Sequence, residues 1–202
     1  MAFPARVVFA TRNDHKIREL TRICADWPIE WIDLRDLEPG AAPEVDETGQ
    51  TYLDNALLKA HAIADALGVP AIADDSGIEV DALGGRPGPR SARFAGEGAS
   101  DAENRQALLS ALKGVPGGGR TARYRCVAAL AFPGEITALH ESGVCEGSLA
   151  SAPRGAAGFG YDPIFVPAGW EETMAELTDE QKDRISHRGR AFRALRDAVA
   201  VG

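Results

Sequence analysis

Several short segments carry residue types that could do chemistry together. Thr11-Arg12-Asn13-Asp14-His15-Lys16 follows directly on the apolar run Arg6-Val7-Val8-Phe9-Ala10. A buried strand that hands over to a helix leaves backbone N–H groups and the positive end of a helix dipole at the turn, which suits an anion. Asn13 and Lys16 are three apart and share a face of the first helical turn. Lys16 would add a mobile cation for phosphate, although the Walker A pattern GxxxxGK[ST] is absent. The same residues also suit a plain helix cap with a solvated lysine. Asp74-Asp75-Ser76-Gly77 closes the apolar run Ala71-Ile72-Ala73. Two adjacent carboxylates there need a cation or hydrogen bonds to offset their desolvation. Mg²⁺ with phosphate oxygens is one such use, and an Asx-turn ending the strand is another. Asp46-Glu47-Thr48-Gly49 adds two acids before a long helix. They suit a metal site shared with Asp75, or simply the helix dipole.

Two further segments are richer in aromatic and basic groups. Gly158-Phe159-Gly160-Tyr161-Asp162-Pro163 places two aromatic rings in a glycine loop, for stacking on a nucleobase or for folding back into the core. Lys182 with Ser186-His187-Arg188-Gly189 gathers two cations and an imidazole near a helix start. These suit phosphate and base-edge contacts, or a Ser186 cap with solvated neighbours. Gly114 to Gly119 is glycine-rich but leads into no helix, so it reads as a loop. Cys126 sits in an apolar run and reads as packing.

The elements that must position these groups follow from periodicity. Arg6 to Ala10 reads as a buried strand, followed by a helix with Ile17, Leu20 and Ile23 on one face. Ile29 to Leu34 alternates and reads as a second strand. Thr51 to Leu67 is the clearest helix: Tyr52, Leu53, Ala56, Leu57, Ala60, Ile63, Ala64 and Leu67 form a wide apolar face that Gly68 terminates. Ala71 to Ala73 is a short strand, and Ile78, Val80 and Ala82 alternate after it. Asp101 to Lys113 is a helix. Thr121 to Phe132 and Ile136 to Glu146 make a hairpin about Pro133-Gly134. Glu176 to Ile185 is a short helix and Ala191 to Val201 a closing one. Strands joined by both crossovers and a hairpin indicate an α/β or α+β domain on a mixed sheet.

The chain has 202 residues, 45% hydrophobic and 26% charged, which is one ordinary globular domain. No apolar run reaches the roughly 20 residues that cross a bilayer, and the first residues do not form a signal peptide. The net charge of −8 disfavours nucleic acid and anionic membrane as partners. The odd, scattered cysteines Cys24, Cys126 and Cys145 indicate a reducing cytoplasm.

Taken in order, Thr-x-Asn-x-x-Lys, Glu-Thr-Gly, Ala-Asp-Asp-Ser-Gly, Phe-Gly-Tyr-Asp-Pro and Ser-His-Arg-Gly resemble the inosine-triphosphate pyrophosphatase family. The likeness runs from Val7 to about Ala194 and includes Asn55 to Ala60, Leu83 to Phe94 and Ala175 to Lys182. It implies an α/β fold over residues 1–202, an elongated mixed sheet flanked by helices in two lobes with a nucleotide cleft between them, and a homodimer. It implies Mg²⁺-dependent hydrolysis of ITP, dITP or XTP to the monophosphate and pyrophosphate, which clears deaminated purines from the nucleotide pool. By the resemblance, Thr11, Arg12, Asn13, Asp14, His15, Lys16 and Lys182 hold the triphosphate, and Lys16 is also catalytic, stabilising with Lys182 the charge that develops in the reaction. Asp75 is the catalytic acid and a metal ligand, and Ser76 contacts substrate. Asp46 or Glu47 is the second metal carboxylate. Phe159, Gly160, Tyr161 and Asp162, with His187 and Arg188, form the base pocket. Arg12 stands where many members have glycine, so its guanidinium either meets phosphate or points away. A related pyrophosphatase for modified pyrimidine or methylated nucleotides is the alternative enzyme. A non-catalytic nucleotide-binding module is the other, and it would be expected to lack Asp75, Lys16 or the acids near Glu47.

Overall fold

A computed structural model describes residues 3–201. The chain forms strands β1 (Arg6–Phe9), β2 (Glu30–Asp33), β3 (Ala71–Val80), β4 (Thr121–Ala131), β5 (Leu139–Leu149) and β6 (Phe165–Pro167). Its helices are α1 (Asp14–Ile23), α2 (Tyr52–Leu67), α3 (Asp101–Ala111), α4 (Asp179–Ile185) and α5 (His187–Val201). One sheet carries all six strands in the order β2-β1-β3-β4-β5-β6. β1 pairs in parallel with β2 and β3, while β5 and β6 are antiparallel. The mixed α/β sheet expected from the pattern is present. Among the described residues no helix is long and apolar enough to cross a membrane.

The chain divides into two compact units. The first comprises residues 1–75, 126–143 and 188–202, and the second residues 76–125 and 144–187. In the first unit β1 is buried on both faces. Val7 and Phe9 join Leu20, Ile72, Cys126 and Phe192 in one core. Val8 and Ala10 join Ala56, Ala60, Ile63, Ala71 and Ala73 in another. This is why the first strand reads as a continuous apolar run rather than an alternating one. The second unit has its own core around Ile78, Leu108, Tyr124, Phe165 and Met174.

Local chemistry explains the helix ends. Thr51 and Asp54 close a capping box at the start of α2, and Gly68 ends that helix at φ +64°. Ser100 with Glu103, and Thr178 with Gln181, cap α3 and α4 in the same way.

The structure corrects four expectations. β3 does not stop at Ala73 but runs through Asp74-Asp75-Ser76-Gly77 to Val80, so there is no Asx-turn at the acids. Alternation sends the two carboxylates to opposite faces of the strand, where different cations meet each of them, as described below. β5 begins at Leu139 rather than Ile136, and Ile136 is exposed in the connection. α4 begins after its Thr178 cap, later than Glu176, and α5 begins at His187, ahead of Ala191.

Candidate active site

In the first unit the apolar strands β1 and β3 deliver polar groups to their ends. Asn13 caps α1 and its side chain accepts from the backbone N–H groups of His15 (2.9 Å) and Lys16 (3.1 Å). The Asn13 N–H in turn donates to the Thr11 hydroxyl (3.2 Å). These amides are therefore engaged within the turn rather than left open, and the side chains are what this turn offers to an anion. Lys16 is not a solvated surface lysine: its Nζ donates to the Asp74 carboxylate at 3.1 Å and to the Asp74 backbone carbonyl at 3.3 Å. Arg12 points away from the helix start and donates to the backbone carbonyls of Ala42 (2.9 Å) and Pro43 (3.3 Å). Asp14 and His15 face outward, to Arg35 and Arg18 respectively.

Asp74 lies on the α1/α5 side of β3. Its Oδ2 accepts from Lys16, from Arg188 Nε (3.3 Å) and from Arg188 Nη2 (3.1 Å). Arg188, also buried, donates to Glu19 as well. Burial works to raise the Asp74 pKa, but Lys16 and Arg188 overcome it and hold the carboxyl well below the usual range. Asp74 Oδ1 is buried and has no hydrogen-bond partner among the described residues.

Asp75 lies on the α2 side of β3. It accepts from Asn55 Nδ2 at 3.0 Å and lies 3.8 Å from Lys59 Nζ. Lys59 Nζ is closer to Glu47, at 2.5 Å. Asn55 Oδ1 also receives the Gly49 N–H at 2.8 Å, which fixes the Glu47 segment against α2. This explains the glycine in Glu-Thr-Gly: a Cβ at Gly49 would sit 2.6 Å from Asn55 Oδ1 and 2.5 Å from Asp54 Cβ. Burial works against the charge on Glu47, yet the Lys59 ammonium brings its pKa below normal. At Asp75 burial wins over Lys59 and Lys16, and the pKa is raised. Glu47 has the nearer claim on the shared ammonium, so Asp75 is the under-compensated carboxylate. A basic carboxylate of this kind suits proton abstraction. Asp46 is exposed, and only its neighbour Glu47 is drawn into the cluster.

No group of three or more His, Cys, Asp or Glu side chains converges as a metal cage among the described residues. Glu47 and Asp75 nevertheless flank one cation already. Two hard carboxylates completed by water and phosphate oxygens are a donor set that Mg²⁺ accepts.

In the second unit a different group assembles around Asp162. The buried Asp162 carboxylate accepts from Lys182 Nζ (2.6 Å), the Phe159 N–H (2.9 Å) and the Tyr124 hydroxyl (3.2 Å). Lys182 Nζ also lies 5.3 Å from the centroid of the half-buried Phe159 ring. His187 stacks on Tyr124, with ring centroids 4.5 Å apart and an interplanar angle of 8°. Arg105 and Asp101 hold the carbonyl and N–H of Gly160. Tyr161 folds into the core, and its hydroxyl donates to the Ser91 carbonyl at 2.7 Å. Ser76 is half-buried on β3. Lys182 thus keeps company with Phe159 and Asp162 and His187 with Tyr124, whereas the Arg188 guanidinium is engaged by Asp74 and Glu19.

Residues 7–198 match the profile of the Ham1 family. The chain belongs to the Ham1 family. Among curated relatives, the dITP/XTP pyrophosphatase of Geobacillus kaustophilus is 50% identical over 94% of this chain and 91% of its own. That of Bacillus subtilis is 45% identical, covering 96% and 97% respectively. Among solved structures, a HAM1 protein from Coxiella burnetii superposes with a TM-score of 0.87 at 39% identity, covering 98% of this chain and 99% of the other. The Staphylococcus aureus Ham1 protein gives 0.83 at 40% identity, covering 96% and 98%. The family resemblance carried by the motifs is borne out.

Sequence reasoning gave this Ham1 chain no roles for Asn55, Lys59 or Tyr124. Asn55 and Lys59 were legible in principle. They stand four apart on α2, beside the small apolar residues Ala56 and Ala60, where a buried polar pair needs partners. Tyr124 reads as an ordinary strand aromatic and carries no signal of its own. The glycine of the Phe-Gly-Tyr-Asp loop that matters most precedes it: Gly158 has φ +71°, and a Cβ there would collide with the Asp162 carboxylate. Gly158→Ala is expected to displace Asp162 from Lys182. The KM for a purine triphosphate should then rise roughly tenfold, with a melting point a few degrees lower. Steady-state kinetics and a thermal melt check both.

Proposed function

We propose that this protein hydrolyses the non-standard purine nucleoside triphosphates dITP, XTP and ITP to the monophosphate and pyrophosphate, with Mg²⁺. The observation that carries this reading is the pair of carboxylates, Glu47 and Asp75, gathered about Lys59 in the same unit as the Thr11-to-Lys16 turn. The dITP/XTP pyrophosphatase names of its relatives support it.

Glu47 and Asp75 would hold the metal, which when bound offsets the negative charge of the phosphate oxygens. Asp75 orients a water and takes its proton as the water attacks the α-phosphorus, and the bond to the α–β bridging oxygen breaks to release pyrophosphate. Lys59 keeps two neighbouring carboxylates together by standing between them. Lys16, on the other face of β3, presents positive charge to the triphosphate along with Thr11 and Asn13. The second unit serves the base. Phe159 offers a half-buried ring for stacking, Lys182, which the resemblance gives to the triphosphate, adds its cation beside Phe159 and Asp162, and His187 offers a donor to a 6-keto oxygen. Adenine presents a 6-amino group instead and leaves that donor unpaired, a mismatch that discriminates strongly. Arg188 is held by Asp74 and Glu19, and we assign base reading to His187. The protein is assigned to the cytoplasm, as a homodimer acting on free nucleotides. Its net charge of −8 disfavours nucleic acid and anionic membrane.

Pyrophosphate release from ITP, XTP, dITP, GTP, ATP and dTTP, each with Mg²⁺ and with EDTA, tests this reading. Fast release from ITP, XTP and dITP that EDTA abolishes, with ATP far slower, is expected. Preference for dTTP would overturn the base assignment. Undiminished release in EDTA would overturn the metal.

A further inference from the structure

We propose that Tyr124, which none of the motifs contains, is a positioning residue for base recognition: its ring sets the plane of the His187 imidazole. The proposal rests on the reading that His187 contacts the base. Tyr124 lies on β4 and is only 6% exposed. It contacts two polar members of the group at once, His187 through its ring and Asp162 through its hydroxyl. Phe165 packs against the same ring, with centroids 4.7 Å apart and an interplanar angle of 54°.

The physical need is clear. An imidazole rotates about a broad terminal torsion, so its N–H direction is poorly fixed by the side chain alone. A hydrogen bond weakens steeply as its angle closes. An imidazole that must tell a keto oxygen from an amino group therefore needs an external constraint. A near-parallel ring at 4.5 Å supplies one. The hydroxyl donates to Asp162 Oδ1 at 3.2 Å, and Phe165 packs the Tyr124 ring in place without it. Lys182 and the Phe159 N–H bind the other carboxylate oxygen. Tyr124 thereby keeps His187 in register with the Phe159 and Lys182 side chains. Lys182 and Phe159 still anchor Asp162 when the hydroxyl is removed, so the ring is the part that matters for His187.

The test compares Tyr124→Phe, Tyr124→Leu and His187→Ala by kinetics on ITP and ATP, and by NMR of the His187 imidazole. Tyr124→Phe keeps the stack and should retain the ITP-over-ATP preference within about twofold. Tyr124→Leu should raise the KM for ITP and lower that preference, each by about tenfold, with a smaller change in kcat, since binding remote from the reacting phosphorus is lost. The His187 ring proton should be shifted upfield by the stacked aromatic ring in the wild type and in Tyr124→Phe, and return toward the shift of a free imidazole in Tyr124→Leu. A folded Tyr124→Leu protein with unchanged preference would overturn the proposal, as would Tyr124→Phe behaving like Tyr124→Leu. If Tyr124→Leu does not fold, an unshifted His187 proton in the wild type would overturn it alone. If His187→Ala leaves the preference unchanged, the base reading itself is wrong. If His187→Ala loses the preference while Tyr124→Leu keeps it, only the positioning role fails.

Discussion

Asp75→Asn is expected to lower turnover of dITP by at least about 10²-fold, the low end for losing a general base. Asn keeps the shape and can still meet Asn55 and Lys59, so the fold should survive. The direction of its stability change is informative. Burial raises the Asp75 pKa, so the folded state favours the protonated carboxyl. For an acid with a raised folded pKa, stability falls as pH climbs from the ordinary carboxylate range through the folded value. A neutral Asn removes that penalty. In chelator near neutral pH, Asp75→Asn should therefore melt at or above the wild-type temperature while being nearly inactive. Near-normal turnover would remove Asp75 from the chemistry. A large fall in melting temperature would instead make its role structural.

Arg188→Met should have the largest effect on stability. The Arg188 side chain is fully buried, and its removal leaves Glu19 and Asp74 buried without their shared cation. Breaking one partner out of a buried ion pair costs about 3–5 kcal/mol, which for a chain of this length lowers the melting point on the order of 10 °C. Lys16 remains beside Asp74, so partial compensation survives. The pH dependence follows from Asp74. Its folded pKa is depressed, so its stabilising contribution is present above the ordinary carboxylate range and is lost as pH falls below it. In Arg188→Met that acid-side loss should be smaller, because less depression remains to lose. Thermal melts in chelator between about pH 3 and 7 check both. A melting point unchanged in Arg188→Met would mean that the Glu19–Arg188–Asp74 contacts contribute nothing net.

Much of the frame was legible because it follows from local rules. The apolar run at Val7, Val8 and Phe9, the capped and glycine-ended α2, and the hairpin about Pro133-Gly134 each announce themselves within a few residues. The site was legible as motifs, but its internal pairing was not. Glu47 and Asp46 are adjacent and chemically alike, and only the folded chain, which pins Gly49 to Asn55, shows that Glu47 pairs with Lys59. Asp74 and Asp75 look equivalent in sequence. Strand alternation separates them, one toward Lys16 and Arg188, the other toward Lys59 and Asn55. The adjacent His187 and Arg188 likewise serve different groups. Contacts between residues distant in sequence, such as Glu19 with Arg188 or Tyr124 with His187, leave no local periodic trace.

The assignment of Glu47 and Asp75 as the pair that holds the divalent ion is tested most directly by Mn²⁺ binding, followed by electron paramagnetic resonance with and without a non-hydrolysable ITP analogue. Wild-type protein and the variants Asp46→Asn, Glu47→Gln and Asp75→Asn should be compared. Binding that strengthens with the analogue, persists in Asp46→Asn and weakens about tenfold or more in Glu47→Gln and Asp75→Asn is the expected result. Binding that survives in Glu47→Gln and Asp75→Asn but is lost in Asp46→Asn would contradict it.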